Sequence, residues 1–133
     1  MNLLLDTHVV IWSQDDPGKL GHQSRELLTD PVNELYISAV TAMEIAQMIH
    51  KGRLKLDRDT DEWLDEAISN LQAKELETSR IASVAAYQLP GNFHDDPADR
   101  ILVATAKIEK LAFLTADRRI LAYPHLESID ARA

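Results

Sequence analysis

A chain of 133 residues, 45% hydrophobic and 27% charged, has the size and composition of one globular domain able to bury a core without a covalent staple. It contains no cysteine, which excludes disulfides, a thiolate metal site and a cysteine nucleophile. Acids outnumber Lys and Arg by 22 to 14, for a net charge of -8, so a broad basic surface that grips nucleic acid is excluded too.

The opening Asn2-Leu3-Leu4-Leu5-Asp6 is a short continuous apolar run, the pattern of a strand buried on both faces of a parallel sheet. It lacks the basic region of a signal peptide, which points to a cytoplasmic protein. No run approaches the roughly 18 apolar residues of a membrane span. A helical turn is expected over Thr7 to Ser13, with Val10, Ile11 and Trp12 supplying bulk. The turn cluster Asp15-Asp16-Pro17-Gly18 precedes a helix expected from Lys19 to Leu28, ended by Asp30-Pro31.

Leu35 to Ser38 reads as a second strand, leading into a helix over Val40 to His50 with Gly52 as its C-terminal stop. A further helix is expected from Asp59 or Thr60 to Ala73, with Trp63, Leu64, Ala67, Ile68 and Leu71 on one face. Glu75 to Thr78 fits a short strand, Ser79 to Leu89 a capped helix, and Pro90-Gly91-Asn92 a break. Asp96-Pro97 opens a helix to Glu109; Leu111 to Thr115 is a strand, Asp117 to Leu121 a helical turn, and Leu126 to Ile129 a last strand. Strands alternating with helices predict a single α/β unit over residues 1–133, with a central, mostly parallel sheet between two helical layers.

Several acids fall where a plain core would place something else. Asp6 ends the first strand, at the edge where open parallel sheets collect ligands; capping the turn at Thr7 is the alternative. Glu44 is the one charged residue between Ala39 and Ile49, so its carboxylate is expected to be partly buried, unless it shares an exposed strip with Thr41 and Gln47. Asp96 and Asp99 lie three apart at a helix start. Helix capping explains both, yet Asp99 lies toward Leu102, Val103 and Ala106, which suggests an inward-facing ligand with Asp96 as cap or supporting acid. Asp117 follows the strand ending at Thr115, as Asp6 follows the first, and has its own reading as the cap of Arg118-Arg119-Ile120.

Four acids at strand exits and helix starts would repel one another unless a cation joins them. Oxygen ligands without Cys suit Mg²⁺ or Mn²⁺. One such ion can activate water and polarise a phosphoryl oxygen, and two can hold the attacking and leaving oxygens of a displacement. Bound cations would also cancel the negative charge that repels a phosphodiester.

These pieces in order resemble the PIN-domain ribonucleases, and among them the toxins of VapBC-type toxin–antitoxin pairs. The similarity is carried by Leu3-Leu4-Leu5-Asp6-Thr7-His8 with Ile11-Trp12, by Ile37-Ser38-Ala39-Val40 with Glu44-Ile45-Ala46, by His94 to Ala106, and by Leu114-Thr115-Ala116-Asp117. It implies a three-layer α/β/α PIN-like fold with Asp6, Glu44, Asp99 and Asp117 as catalytic metal-binding acids and Asp96 as an additional one. It also implies one or two Mg²⁺ or Mn²⁺ ions, an RNA substrate such as tRNA or another structured RNA, a homodimer and a cognate antitoxin. Thr7, Ser38 and Thr115 occupy small polar positions where a hydroxyl could bond a carboxylate or a phosphate. His94 is expected to be a satisfied or surface histidine with no catalytic role. Arg100, Arg118 and Arg119 are left open between holding carboxylates, meeting phosphate and pairing on the surface. A DNA nuclease or another metal phosphoesterase would use the same acids; a non-catalytic binding protein would use them as caps and solubility charges.

Overall fold

The computed structural model describes residues 1–133. Strands β1 (Asn2–Leu5), β2 (Glu34–Ser38), β3 (Lys74–Leu76), β4 (Ala112–Thr115) and β5 (Ser128–Asp130) form one sheet in the order β3-β2-β1-β4-β5. Every pairing is parallel, so the sheet is wholly rather than mostly parallel. The helices are α1 (Thr7–Asp15), α2 (His22–Thr29), α3 (Ala39–His50), α4 (Thr60–Leu71), α5 (Arg80–Ala85), α6 (Pro97–Glu109) and α7 (Arg118–Leu121). None is long and apolar enough to cross a membrane.

The apolar opening run explains the layering. Leu3, Leu4 and Leu5 in central β1 are all fully buried, and alternation along the strand sends them to different cores. Leu3 and Leu5 join Val9 and Val10 of α1, Leu28 of α2, Ile45 of α3 and Trp63 of α4 on one face. Leu4 joins Phe113 of β4, Leu102 and Val103 of α6 and Ile120 of α7 on the other. The architecture is therefore the expected three-layer α/β/α sandwich.

Several element boundaries depart from expectation, among them the end of α4 at Leu71 rather than Ala73 and β3 at Lys74–Leu76 rather than Glu75–Thr78, and three have a clear physical reason. The helix expected from Lys19 instead splits into a 3-10 turn, Pro17–Lys19, and α2. Between them Gly21 is extended, and its N–H donates to the Ala131 carbonyl at 2.9 Å. A Cβ at Gly21 would collide with the backbone of Arg132 and Ala133, so the chain needs glycine there. The helix expected to reach Leu89 stops at Ala85. Four residues after Ala86 stands Pro90, which has no N–H to give the Ala86 carbonyl, and Arg100 Nη1 donates to that carbonyl at 3.0 Å instead. The last strand is Ser128–Asp130, displaced toward the C-terminus because Leu126 packs into the second core.

α1 also runs two residues past the expected Ser13, to Asp15. The end of α3 agrees with expectation: Gly52 adopts φ +71, and the Arg53 N–H returns to the Met48 carbonyl at 2.8 Å.

Candidate metal centre

A parallel sheet sends all its strand exits to one edge, and there β1 gives way to Asp6, β2 to α3 and β4 to Asp117. A cavity of about 540 Å³ opens at this edge. Asp6, Glu44, Asp96, Asp99 and Asp117 all line it, and only two of its twelve lining residues, Trp12 and Ala116, are hydrophobic. All five acids singled out from sequence thus meet in one place.

Asp99 is central. Its carboxylate groups with those of Glu44 and Asp96, and also with His94 and Asp117, the ligand atoms of each trio lying within 4.8 Å of one another. Asp6 belongs to neither trio and is held more tightly. Its Oδ1 accepts the Thr7 N–H at 2.8 Å and its Oδ2 accepts the Thr115 hydroxyl at 2.5 Å. Asp96 caps α6, accepting the Asp99 N–H at 2.9 Å, while remaining within reach of Glu44 and Asp99. Capping and a place in the acid cluster prove compatible.

The small hydroxyl residues divide. Thr7 donates to Glu44 Oε1 at 2.5 Å and touches the Thr41 hydroxyl at 3.1 Å. Thr115 serves Asp6 and also accepts the Asp117 N–H at 3.0 Å. Ser38 bonds no carboxylate; it caps α3 through the Val40 N–H at 3.1 Å.

Burial pushes the Asp6 carboxyl above the usual range, against its hydrogen bonds from Thr115 and Thr7. Glu44, half-buried, is pushed up to about 7, first by burial and then by the charges of Asp6, Asp99 and Asp96, with the Thr7 hydroxyl opposing. Burial likewise raises Asp99, against its bond to His94, and Asp6 and Asp96 add to the rise. Asp117 goes the other way: burial acts to raise it, but the backbone and side chain of Arg119 outweigh that and hold it low. Buried carboxylates that raise one another's pKa are a site that a cation would relieve. Carboxylate oxygens with one imidazole and no thiolate fit a hard divalent ion such as Mg²⁺ or Mn²⁺.

His94 takes the satisfied rather than the surface alternative expected of it. Its Nε2 sits 2.7 Å from Asp99 Oδ2, and both side chains are largely buried. The signal was a histidine five residues ahead of an inward-facing aspartate, on the loop entering the same helix. The arginines also resolve. Arg119 faces Asp117 at 3.4 Å and Asp99 at 3.9 Å. Arg118 is exposed. Arg100 holds backbone: it donates to the carbonyls of Ala86 at 3.0 Å and Phe93 at 2.7 Å, with its guanidinium 5.3 Å from the Tyr87 ring centroid. Its Nε is the one buried side-chain polar atom without a hydrogen-bond partner.

Residues 3–126 match the PIN domain family, and the chain belongs to it. It is 29% identical over 123 residues to Ribonuclease VapC22 of Mycobacterium tuberculosis (strain ATCC 25618 / H37Rv), covering 92% of each chain. Among solved structures, VapBC2 from Rickettsia felis bound to a DNA fragment from their promoter has a similar fold, with TM-score 0.73 and 17% identity over 98% of each chain. FitAcB from Neisseria gonorrhoeae is similar at TM-score 0.62 and 20% identity over 97% of each chain.

Proposed function

We propose that this chain is a metal-dependent endoribonuclease that hydrolyses RNA phosphodiester bonds, acting in the cytoplasm as the toxin of a toxin–antitoxin pair. The observation that carries this reading is the convergence of Asp6, Glu44, Asp96, Asp99 and Asp117 on one polar cavity, in a PIN-family chain whose relative is named a ribonuclease.

In this reading Asp99 is the shared ligand of the site, Glu44 and Asp96 flank it on one side, and Asp117 flanks it on the other. Asp6 supplies a fixed charge at the first strand exit. One or two divalent ions supply Lewis acidity toward water and phosphoryl oxygen when bound. The protein's own part is positioning. Thr115 and the Thr7 N–H hold Asp6, the Thr7 hydroxyl holds Glu44, and His94 holds Asp99, so the acids keep their places despite mutual repulsion.

The reading also gives the chain a cognate antitoxin and a second copy of itself as partners. Solved proteins of like fold include a toxin–antitoxin complex from Klebsiella pneumoniae. Exposed apolar side chains at Ile81, Val84 and Tyr87 support contact with another protein.

The deciding experiment incubates partner-free protein with a pool of tRNA and other structured RNA in Mn²⁺, Mg²⁺ or EDTA, beside the Asp6→Asn variant. Discrete cuts that require both the metal and Asp6 are expected. RNA left intact by folded, Mn²⁺-bound protein that cleaves DNA instead would overturn the ribonuclease assignment.

A further inference from the structure

Three arginines line the acidic cavity: Arg53, Arg119 and Arg132. Arg119 has its charge answered by Asp117 and Asp99. Arg53 and Arg132 have no carboxylate within ion-pair distance, although acids outnumber bases in the chain by 22 to 14.

Arg132 is nevertheless fixed. Its Nη1 donates to the carbonyl of Ala116, the residue before Asp117, at 2.7 Å. Its guanidinium lies 5.7 Å from the Trp12 ring centroid, close enough for a cation–π contact. Its backbone is anchored on both sides: Ala131 N–H donates to Thr115 O at 2.8 Å, and Arg132 N–H to Asp130 Oδ1 at 2.9 Å. A guanidinium carries five N–H donors, and the single bond to Ala116 leaves the rest of the fork free for a ligand. Arg53 is placed differently. The turn at Gly52 delivers it from the end of α3, the helix that bears Glu44, and its exposed side chain makes no protein hydrogen bond. Two uncommitted guanidiniums therefore stand at the cavity on separate elements, one after the helix of Glu44 and one against the strand exit of Asp117.

We propose that Arg53 and Arg132 form the substrate-phosphate subsite of this chain, binding the backbone phosphates that flank the one held over the acids. The inference rests on the nuclease reading above and names the residues that bring a polyanion to an acidic site. Local pairing replaces the broad basic surface that the composition excludes: two arginines at the mouth offset the repulsion from the acids where the strand enters. Guanidinium suits this task because its planar fork matches phosphate oxygens in two-point contact.

The test uses an oligoribonucleotide that the parent chain cuts in Mn²⁺, with KM and kcat measured across a salt series. Arg53→Gln and Arg132→Gln are each expected to raise KM by roughly tenfold, the equivalent of one lost charge-assisted contact, and to lower kcat by much less. Each should flatten the slope of log kcat/KM against log salt by about one phosphate contact. Mn²⁺ affinity without RNA should stay at the parent value, which separates loss of phosphate binding from damage to the acid cluster. Arg58→Gln removes the same charge from a guanidinium paired with Asp57 and Glu66, away from the cavity, and should leave KM and the salt slope unchanged. Arg53 has no structural contact to lose, so its variant remains informative even if Arg132→Gln loosens Trp12. A parent that cuts RNA beside variants with its KM and salt slope would overturn this inference alone. A parent that cuts no RNA would overturn the ribonuclease reading and this one together.

Discussion

The hydroxyl of Thr115 donates to Asp6 Oδ2 at 2.5 Å, joining the exits of two neighbouring strands across 109 residues of sequence. The same oxygen accepts the Asp117 N–H at 3.0 Å, so one fully buried threonine fixes two acids of the cluster. Thr115→Val keeps the shape and removes both bonds. The variant is expected to lose about 1–3 kcal/mol of stability. Its Mn²⁺ affinity should fall roughly 10–100-fold, as for other groups that orient metal ligands. Calorimetric titration with Mn²⁺ beside thermal unfolding checks both; unchanged affinity would show that Asp6 needs no such support.

Glu44 sets a pH dependence. Its carboxyl is raised from the ordinary 4.5 to about 7, so the folded chain holds this proton more tightly than the unfolded chain does. Its contribution to stability is therefore full below about 4.5 and is lost as pH rises through about 7. Metal-free protein should show a Tm that declines over this window, and Glu44→Gln should flatten the decline. Mn²⁺ should suppress it in the parent, because a bound cation favours the ionised acids. The check is Tm against pH for both chains, with Mn²⁺ and with EDTA; coincident parent and variant curves in EDTA would refute the assignment.

Asp99 depends on His94. The imidazole opposes the upward shift that burial imposes on the Asp99 carboxyl. His94→Leu removes that opposition, so the pH at which Mn²⁺ binding reaches half its full strength should move up. His94→Gln keeps a donor and should recover part of the change. Binding curves that overlay for His94→Leu and the parent would mean that this bond does not set the ionisation of Asp99.

Arg100 is expected to matter through folding. Arg100→Met leaves the carbonyls of Ala86 and Phe93 without their buried donor and should cost about 2–5 kcal/mol. Arg100→Lys keeps the charge but cannot span both carbonyls, so it should restore only part. Urea unfolding of the three chains decides this. A loss below about 1 kcal/mol, the usual range for a surface ion pair, would return Arg100 to the surface role left open by the sequence.

What the sequence made legible follows from how local each signal is. Leu3-Leu4-Leu5-Asp6 states a buried parallel strand and its exit within four residues, and Asp96-Pro97 states a helix start within two. Those local signals place the acids at one edge of the sheet. The partners across the fold were not legible. The resemblance allows Thr115 a carboxylate to bond without naming Asp6, and nothing near Arg100 announces the carbonyl of Ala86, because those pairings depend on which elements come to lie side by side. For His94 the sequence left two states open, satisfied or on the surface, and only the fold brings it to Asp99. The need for glycine at 21 is likewise set from afar, by the backbone of Arg132 and Ala133 passing against it.

A sheet in which every strand runs the same way also imposes an order in time. Asp6 and Glu44 leave the ribosome first, whereas Asp99, Asp117 and the β4 strand that seats beside β1 follow later. The full cluster, with Asp117 beside Asp6, is complete only when that later strand seats against the first one, a closure that spans most of the residues between them. For a protein whose proposed target is RNA, the topology ties completion of the acid cluster to the joining of its first strand with its fourth.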